Sequence, residues 1–174
     1  MKTMKIGYVM FCLLMGITPV LAQQSVIGRL VLDVQHYDIK AEVIPDRSFI
    51  KGEVKIRFTV LEDSLSLPFD LNSKLSLLEV VDEEDYRYSV DYDNFQSNRL
   101  RIRGIEQFRA QSEYTLIFRW EGTLEPEQYA FLDIPQTEPA VISTEGALLL
   151  SQAKWLPSYA FPLDSASVNM QVTV

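Results

Sequence analysis

The sequence predicts an all-β protein, an antiparallel β-sandwich or saddle of about eight or nine short strands. Apolar and polar residues alternate with a period of two over most of the chain, and turn-forming residues separate the alternating segments. No window beyond residue 22 has a convincing helical period. With 47% hydrophobic and 23% charged residues in 174, the composition is that of one globular domain with its own core.

The first 22 residues have the three-part pattern of a secretory signal peptide. Lys2 and Lys5 precede an apolar run over 6–17. Val20 and Ala22 then place small residues at the third and first positions before a cut after Ala22. The run is shorter than the roughly 20 residues of a membrane-spanning helix, and no second long apolar run follows. We therefore expect cleavage after Ala22, a single domain over 23–174, a secreted or periplasmic protein and no membrane span in the mature chain.

Export changes the charge and the cysteine content of the chain. Removal of Lys2 and Lys5 takes two positive charges from a net charge of −8, which gives −10. Cys12 is removed as well, so no disulfide can stabilise the mature domain. The acidic balance, with a sequence pI near 4.7 and no basic cluster, excludes binding to nucleic-acid phosphates as an expected function.

The first two alternating segments predict a long antiparallel hairpin. Apolar positions alternate over 37–43 and again over 50–60, and Pro45-Asp46-Arg47-Ser48 supplies a turn between them that is too short for a parallel crossover. Further strands are predicted over 65–71, 75–81, 86–92, 99–103, 114–120 and 168–174. Pro68 lacks an N–H donor and places its strand at an edge or a bulge. Residues 121–146 contain three prolines and predict a long irregular loop.

Few residues offer catalytic chemistry. His36 is the only histidine, it lies on the polar face of its strand, and the sequence has no G-x-S-x-G elbow and no Gly-rich phosphate loop. A zinc site needs three or four ligands, which one histidine and no mature cysteine do not provide. The acidic run 82–85 lacks the spacing of a calcium loop and predicts a solvated turn. Three aromatic residues could form a sugar-stacking platform, although core packing is the commoner role for strand aromatics: Trp120, Trp155 and Tyr159.

Several motifs, taken in order, resemble those of the N-terminal β-domain in the aminopeptidase N family. The members of this family are zinc metallopeptidases of the gluzincin type. The motifs are His36-Tyr37-Asp38-Ile39, then Gly52-Glu53-Val54-Lys55-Ile56, Leu67-Pro68-Phe69-Asp70-Leu71, 114–122 and 168–174. The resemblance covers roughly residues 30–174. It implies a saddle of antiparallel strands that packs on a zinc catalytic domain. The H-E-x-x-H helix and the G-x-M-E-N motif of the family are absent from this chain, so the resemblance implies zinc in a missing domain and neither a metal site nor catalytic residues here.

The resemblance also implies a substrate-binding element. The first domain of the family contributes a Gln-x-Glu or Gln-x-Gln element to the pocket for the substrate amino terminus, and Ser151-Gln152-Ala153-Lys154 falls at that place. Gln152 matches the family, whereas Lys154 replaces an acid or amide and would repel an ammonium group. The candidate peptide-binding residues are therefore Gln152, Lys154 and the neighbouring Trp155, with an expected zinc domain or partner chain beside them.

Two other functions remain open from the sequence. The chain could be a free-standing exported module that binds peptide or glycan with the 121–146 loop and nearby aromatics. It could also be an inactive fragment or a split subunit, since Val174 ends a predicted strand with no polar tail after it. Under each of these functions we expect no hydrolysis by this chain alone.

Overall fold

The computed structural model describes residues 30–93, 98–125, 140–160 and 165–174. These residues form strands and two short 3-10 helices, Pro45–Arg47 and Ser151–Ala153. The strands are β1 (Leu32–Ile44), β2 (Phe49–Val60), β3 (Leu67–Asp70), β4 (Leu75–Val81), β5 (Ser89–Tyr92), β6 (Arg99–Arg103), β7 (Glu113–Thr123), β8 (Ala140–Ser143), β9 (Gly146–Leu149) and β10 (Ser167–Thr173). The predicted all-β fold is confirmed, with ten strands among the described residues instead of eight or nine.

The strands form three sheets. The largest has the order β10-β1-β2-β7-β4, a second has the order β3-β6-β5, and β8 and β9 form a hairpin. The predicted hairpin over 37–60 is confirmed, because β1 and β2 pair antiparallel with Tyr37 opposite Ile56 and Val43 opposite Ile50. Strand β3, which contains Pro68, lies at a sheet edge as the missing N–H donor requires.

The hydrophobic core lies between the five-stranded and the three-stranded sheet. The period of two in β2 turns Val54, Ile56 and Phe58 inward, where all three are fully buried. From the other sheet Phe69 reaches them, with its ring centre 4.8 Å from that of Phe118 and 5.9 Å from that of Phe58. The two layers are thus joined by aromatic side chains.

Gly52 explains one irregularity of this inward pattern. It occupies a core-facing position opposite Trp120, whose side chain is fully buried. A Cβ at Gly52 would lie 2.6 Å from two ring carbons of Trp120 and 2.8 Å from the carbonyl oxygen of Lys40. Only glycine leaves room for the indole ring at this position.

Three sequence expectations differ from the structure. The fold is not purely antiparallel, since β10 pairs parallel with β1. The predicted loop over 121–146 is longer than any loop in the structure can be there, because 121–123 still belong to β7 and 140–143 form β8. Residues 126–139 lie outside the described residues. Leu65, expected on the apolar face with Leu67 and Phe69, precedes β3 and is 75% exposed.

Candidate functional site

A groove of about 340 Å³ lies beside strands β1 and β10 and the segment 151–160. Among the described residues, the lining is mainly apolar, with three serine residues and no charged residue. The lining residues are Val34, Tyr37, Ile39, Ser151, Trp155, Leu156, Ser158, Tyr159, Ser165, Ala166, Val168 and Met170. A concave apolar surface with a few hydroxyl groups is suited to an apolar side chain next to a hydrogen-bonding backbone.

Tyr159 attaches one end of the 151–160 segment to β1. Its hydroxyl oxygen accepts hydrogen bonds from the backbone N–H of Val31 at 2.7 Å and of Leu32 at 3.3 Å. The Tyr159 backbone N–H donates in turn to the Tyr37 hydroxyl oxygen at 3.3 Å. The ring of Tyr159 is 8% exposed and lies 6.3 Å, between ring centres, from Phe69.

The other contacts of this segment are made to the end of β3. The backbones of Asp70 and Ser158 exchange two hydrogen bonds, of 2.7 and 2.9 Å. Asn72 donates from its backbone N–H to the Lys154 carbonyl oxygen at 2.8 Å, and from its side-chain amide to the Ala153 carbonyl oxygen at 2.9 Å. Since both β1 and β3 hold the segment, the wall of the groove is fixed by the scaffold.

The three predicted site residues occupy different environments. Gln152 is exposed on the short 3-10 helix, at the position after Ser151, which lines the groove. Trp155 is 5% exposed and belongs to both the core and the groove wall. Lys154 has a left-handed backbone, with φ of 54°, and caps the 3-10 helix. Only the Gln152 side chain is therefore free to extend into solvent.

Lys154 is held by an ion pair. Its Nζ lies 3.1 Å from Asp70 Oδ2, and Arg99 Nε lies 3.4 Å from Asp70 Oδ1. The Asp70 side chain is 14% exposed, so the two cations neutralise a carboxylate that is largely removed from water. Asp70 is therefore not left as an unpaired acid, and the Lys154 ammonium group is engaged within the domain.

His36 connects β1 to β10 on the face of the sheet opposite the core. The Ser167 hydroxyl donates to the Gln35 carbonyl oxygen at 2.9 Å, so its oxygen accepts from His36 Nδ1 at 2.8 Å. With the proton on Nδ1, Nε2 accepts from the Asn169 amide nitrogen at 3.3 Å. His36 thus has a structural role at the strand junction.

The same outer face has a charged network centred on Arg119. This side chain donates to Glu53, with Nε 2.8 Å from Oε2, and to Glu79. These hydrogen bonds raise the pKa of Arg119 above its already high usual value. Across the part of the chain that the structure describes, no group of three or more His, Cys, Asp or Glu could hold a metal ion.

Two other sequence candidates have structural surroundings of their own. In the acidic run 82–85, Asp82 Oδ1 accepts from the backbone N–H of Glu84 at 2.9 Å and of Tyr86 at 3.0 Å, which organises a turn. The three aromatics of the suggested sugar platform are all buried, Trp120 fully and the other two to more than nine-tenths. They therefore do not offer an exposed stacking surface.

Sequence reasoning missed the residues that complete the groove. The sequence patterns place Tyr37 in a strand and Tyr159 in the suggested sugar platform, and they place Val168 and Met170 in the last strand. All four line the groove. The parallel register that places Tyr37 opposite Val168 and Ile39 opposite Met170 brings them together. The alternation in 168–174 did signal an apolar face, but it did not identify the neighbouring strand.

Comparison with known proteins shows similarity in structure. No family model matches the sequence, and no curated protein matches it. The chain is similar to a mutant M1 zinc metallopeptidase from Deinococcus radiodurans bound to the substrate Tyr-Ser-Ala, with a TM-score of 0.63 and 19% identity over 83% of this chain and 33% of that chain. Another structure of an M1 zinc metallopeptidase mutant from Deinococcus radiodurans gives a TM-score of 0.60 and 22% identity with the same coverage.

A third solved structure, a two-domain M1 zinc metallopeptidase mutant bound to L-tryptophan, has a TM-score of 0.58 and 19% identity over 83% of this chain and 33% of that chain. This chain therefore spans about a third of the length of the peptidases it matches. At these identities the match establishes the fold, which is that of one part of an M1 zinc metallopeptidase. The resemblance predicted from the sequence is confirmed at this level.

Among the described residues, no helix is long and apolar enough to cross a membrane.

Proposed function

We propose that this chain is a non-catalytic N-terminal β-domain of an exported zinc aminopeptidase-like protein. In this role it helps to form the pocket for the amino-terminal part of a peptide substrate and packs on a zinc domain that the chain lacks. The observation that carries the proposal is the match of 83% of this chain to a third of an M1 zinc metallopeptidase that was solved with Tyr-Ser-Ala. Zinc chemistry belongs to the missing domain in this proposal.

The groove supports a role in peptide binding. Its apolar lining suits the first side chain of a peptide such as Tyr-Ser-Ala, and Ser151 and Ser158 offer hydroxyl groups at its wall. Within the predicted set, Gln152 supplies an exposed carboxamide beside Ser151, while Lys154 and Trp155 hold the wall in place. The described residues that line the groove include no acid, and in this proposal the zinc domain binds the substrate ammonium.

A peptide titration followed by NMR tests this proposal. We expect Tyr-Ser-Ala at millimolar concentration to shift the amide signals of 151–160, because half of the pocket is missing and binding is weak. The Gln152→Ala variant should weaken the shifts, and Ser76→Ala on the opposite edge strand should leave them unchanged. Hydrolysis of the peptide by the zinc-loaded chain, or shifts confined to other regions, would contradict the proposal.

Export is proposed on the pattern of the first 22 residues. Expression in a bacterial host with its own amino-terminal segment should yield a periplasmic or secreted protein whose first residue is Gln23. Amino-terminal sequencing or intact mass measurement identifies the cut. A chain that keeps Met1 and stays in the cytoplasm would contradict export without affecting the peptide-binding test.

A free-standing peptide-binding module is the second candidate. The observation in its favour is that β1 and β3 both hold the 151–160 wall of the groove by hydrogen bonds within this chain. This function predicts micromolar binding without a partner, whereas the first proposal predicts millimolar binding. Isothermal titration calorimetry with Tyr-Ser-Ala separates the two. Glycan binding is not favoured, because the aromatic residues it would use are buried.

A further inference from the structure

Strand β10 forms an edge of the five-stranded sheet with no other described strand beside it. All seven of its residues are exposed, and its sequence, Ser-Val-Asn-Met-Gln-Val-Thr, contains no charge and no proline. Its pairing with β1 has no bulge. An edge strand of this kind leaves a row of backbone N–H and C=O groups that another strand can pair with.

The side chains of β10 separate by face. Val168, Met170 and Val172 lie on the face that β1 turns toward the core, yet they are 53%, 53% and 46% exposed. Asn169 and Gln171 lie on the opposite face, together with the hydroxyl residues Ser167 and Thr173. A strand that pairs here must therefore be apolar on one face and polar and uncharged on the other.

The other edges of the two larger sheets are protected in the usual ways. Strand β4, at the far edge of the same sheet, has a bulge between Leu77 and Glu79 and the ion-paired charge of Glu79. The chain also folds back onto this edge, where the Tyr88 backbone N–H donates to the Val80 carbonyl oxygen at 2.9 Å. In the three-stranded sheet, the edge strand β3 contains Pro68 and β5 contains Asp91. Strand β10 has none of these devices, so pairing at this edge is not opposed.

We propose that β10 pairs antiparallel with β10 of a second copy of the chain, around a two-fold axis at Met170. Residue 170 is the midpoint of the strand, so this register overlaps all of Ser167–Thr173. It places Met170 opposite Met170, valine opposite valine, amide opposite amide and hydroxyl opposite hydroxyl. The pairs are Met170 with Met170, Val168 with Val172, Asn169 with Gln171, and Ser167 with Thr173. The strand is thus complementary to itself, as an isologous interface requires.

Pairing would join two five-stranded sheets into one continuous sheet. Val168 and Met170 also line the groove, so the apolar floor of each groove would extend onto the partner. One strand pair is a small interface, so we expect a dissociation constant in the range of roughly micromolar to 100 µM. Each copy has a net charge of −8, or −10 after the proposed cleavage, and added salt should strengthen the dimer by screening this repulsion.

Sedimentation velocity of the purified chain between roughly 1 and 200 µM tests the assembly, a range chosen to span that affinity. The mass should double with concentration and rise no further, because each copy has one β10 edge. Met170→Lys should shift the midpoint to at least tenfold higher concentration, since two lysines meet at the axis. A mixture of Met170→Lys and Met170→Glu should restore dimerisation, which a misfolded variant would not do. Ser76→Lys on β4 is the matched control and should dimerise like the unmodified chain.

Cysteine cross-linking tests the register. In a Cys12→Ser background, Met170→Cys should form a disulfide-linked dimer under mild oxidation, because residues directly opposite in antiparallel strands lie within disulfide reach. Val168→Cys alone should not cross-link, whereas a mixture of Val168→Cys and Val172→Cys should. A monomer at every concentration, a dimer unaffected by Met170→Lys, or open-ended larger species would overturn the proposal.

Discussion

Lys154 combines a conformational cost with an electrostatic contribution. Its backbone is left-handed, which costs a non-glycine residue about 1 kcal/mol, while its side chain pairs with the largely buried Asp70. We expect Lys154→Ala to lose the ion pair and keep the cost, whereas Lys154→Gly loses both. Lys154→Gly should therefore be more stable than Lys154→Ala by about 1 kcal/mol in urea unfolding. Equal stabilities, or a less stable glycine variant, would contradict this reading of the 151–160 segment.

Tyr88 is the residue whose ionisation the fold opposes. Burial, together with the nearby Asp82 carboxylate, which accepts a hydrogen bond from its hydroxyl at 3.3 Å, raises the pKa of Tyr88 from 10.0 to about 12. Because the folded state holds this proton more tightly than the unfolded state, its contribution to stability is complete below pH 10 and is lost as the pH rises toward 12.

Alkaline titration of tyrosinate absorbance tests this assignment. The unmodified chain should have a final ionisation step near pH 12 that Tyr88→Phe lacks, and the free energy of unfolding should fall less steeply above pH 10 in the variant. If the absorbance step removed by the substitution is centred at pH 10, burial of the hydroxyl is refuted.

At the scale of elements, Tyr159 determines whether the groove wall stays on β1. Its hydroxyl oxygen is the acceptor for the backbone N–H groups of Val31 and Leu32, and Leu32 is fully buried. Tyr159→Phe keeps the ring but leaves these donors without that acceptor, which should cost about 1–3 kcal/mol.

The location of this effect distinguishes it from general destabilisation. Hydrogen exchange in Tyr159→Phe should accelerate at 31–32 and 151–160 while the amides of β2 and β7 stay protected. Tyr92→Phe, which alters a tyrosine that is 54% exposed in β5, is the matched control and should change neither. Uniform acceleration over the whole sheet would show that Tyr159 supports the entire fold instead of the groove wall.

Local sequence patterns predicted the strands and their pairing well where two consecutive strands pair with each other. The period of two over 37–43 and 50–60, with the short turn between them, was sufficient for the β1–β2 hairpin. The pairing of β10 with β1 joins residues more than 120 positions apart, and alternation alone contains no information about that partner. The β8–β9 hairpin was hidden because the prolines of 121–146 dominated the local signal.

The candidate site was predictable only in part for the same reason. The family resemblance identified Gln152, Lys154 and Trp155 as candidates, and these three residues lie within four positions of one another in the sequence. The groove, however, depends on contacts between 151–160, β1, β3 and β10 that no short pattern specifies. The pairing of Lys154 with Asp70 in particular follows from the fold, because the two residues are brought together by the backbone exchange between Asp70 and Ser158.

At the scale of the whole molecule, stability rests on one apolar interface between two sheets. Phe69 is the central link, since its 1% exposed ring contacts aromatic rings of Phe58, Phe118 and Tyr159. Removing such a ring typically costs about 3–5 kcal/mol, against a total of about 5–15 kcal/mol for a natural domain. Phe69→Ala should therefore lose a large part of the free energy of unfolding, and the loss should affect both sheets together.

Leu65 provides the matched control, because the alternation of the sequence assigned it to the same apolar face as Phe69 while the structure leaves it 75% exposed. Leu65→Ala should change the free energy of unfolding by no more than about 0.5 kcal/mol. Urea unfolding followed in parallel by near-ultraviolet and far-ultraviolet circular dichroism measures both variants. Coincident transitions in Phe69→Ala, displaced to lower urea, are expected from a single shared core. If the two signals separate, or if Leu65→Ala is as damaging as Phe69→Ala, the sheets do not fold as one two-layer unit.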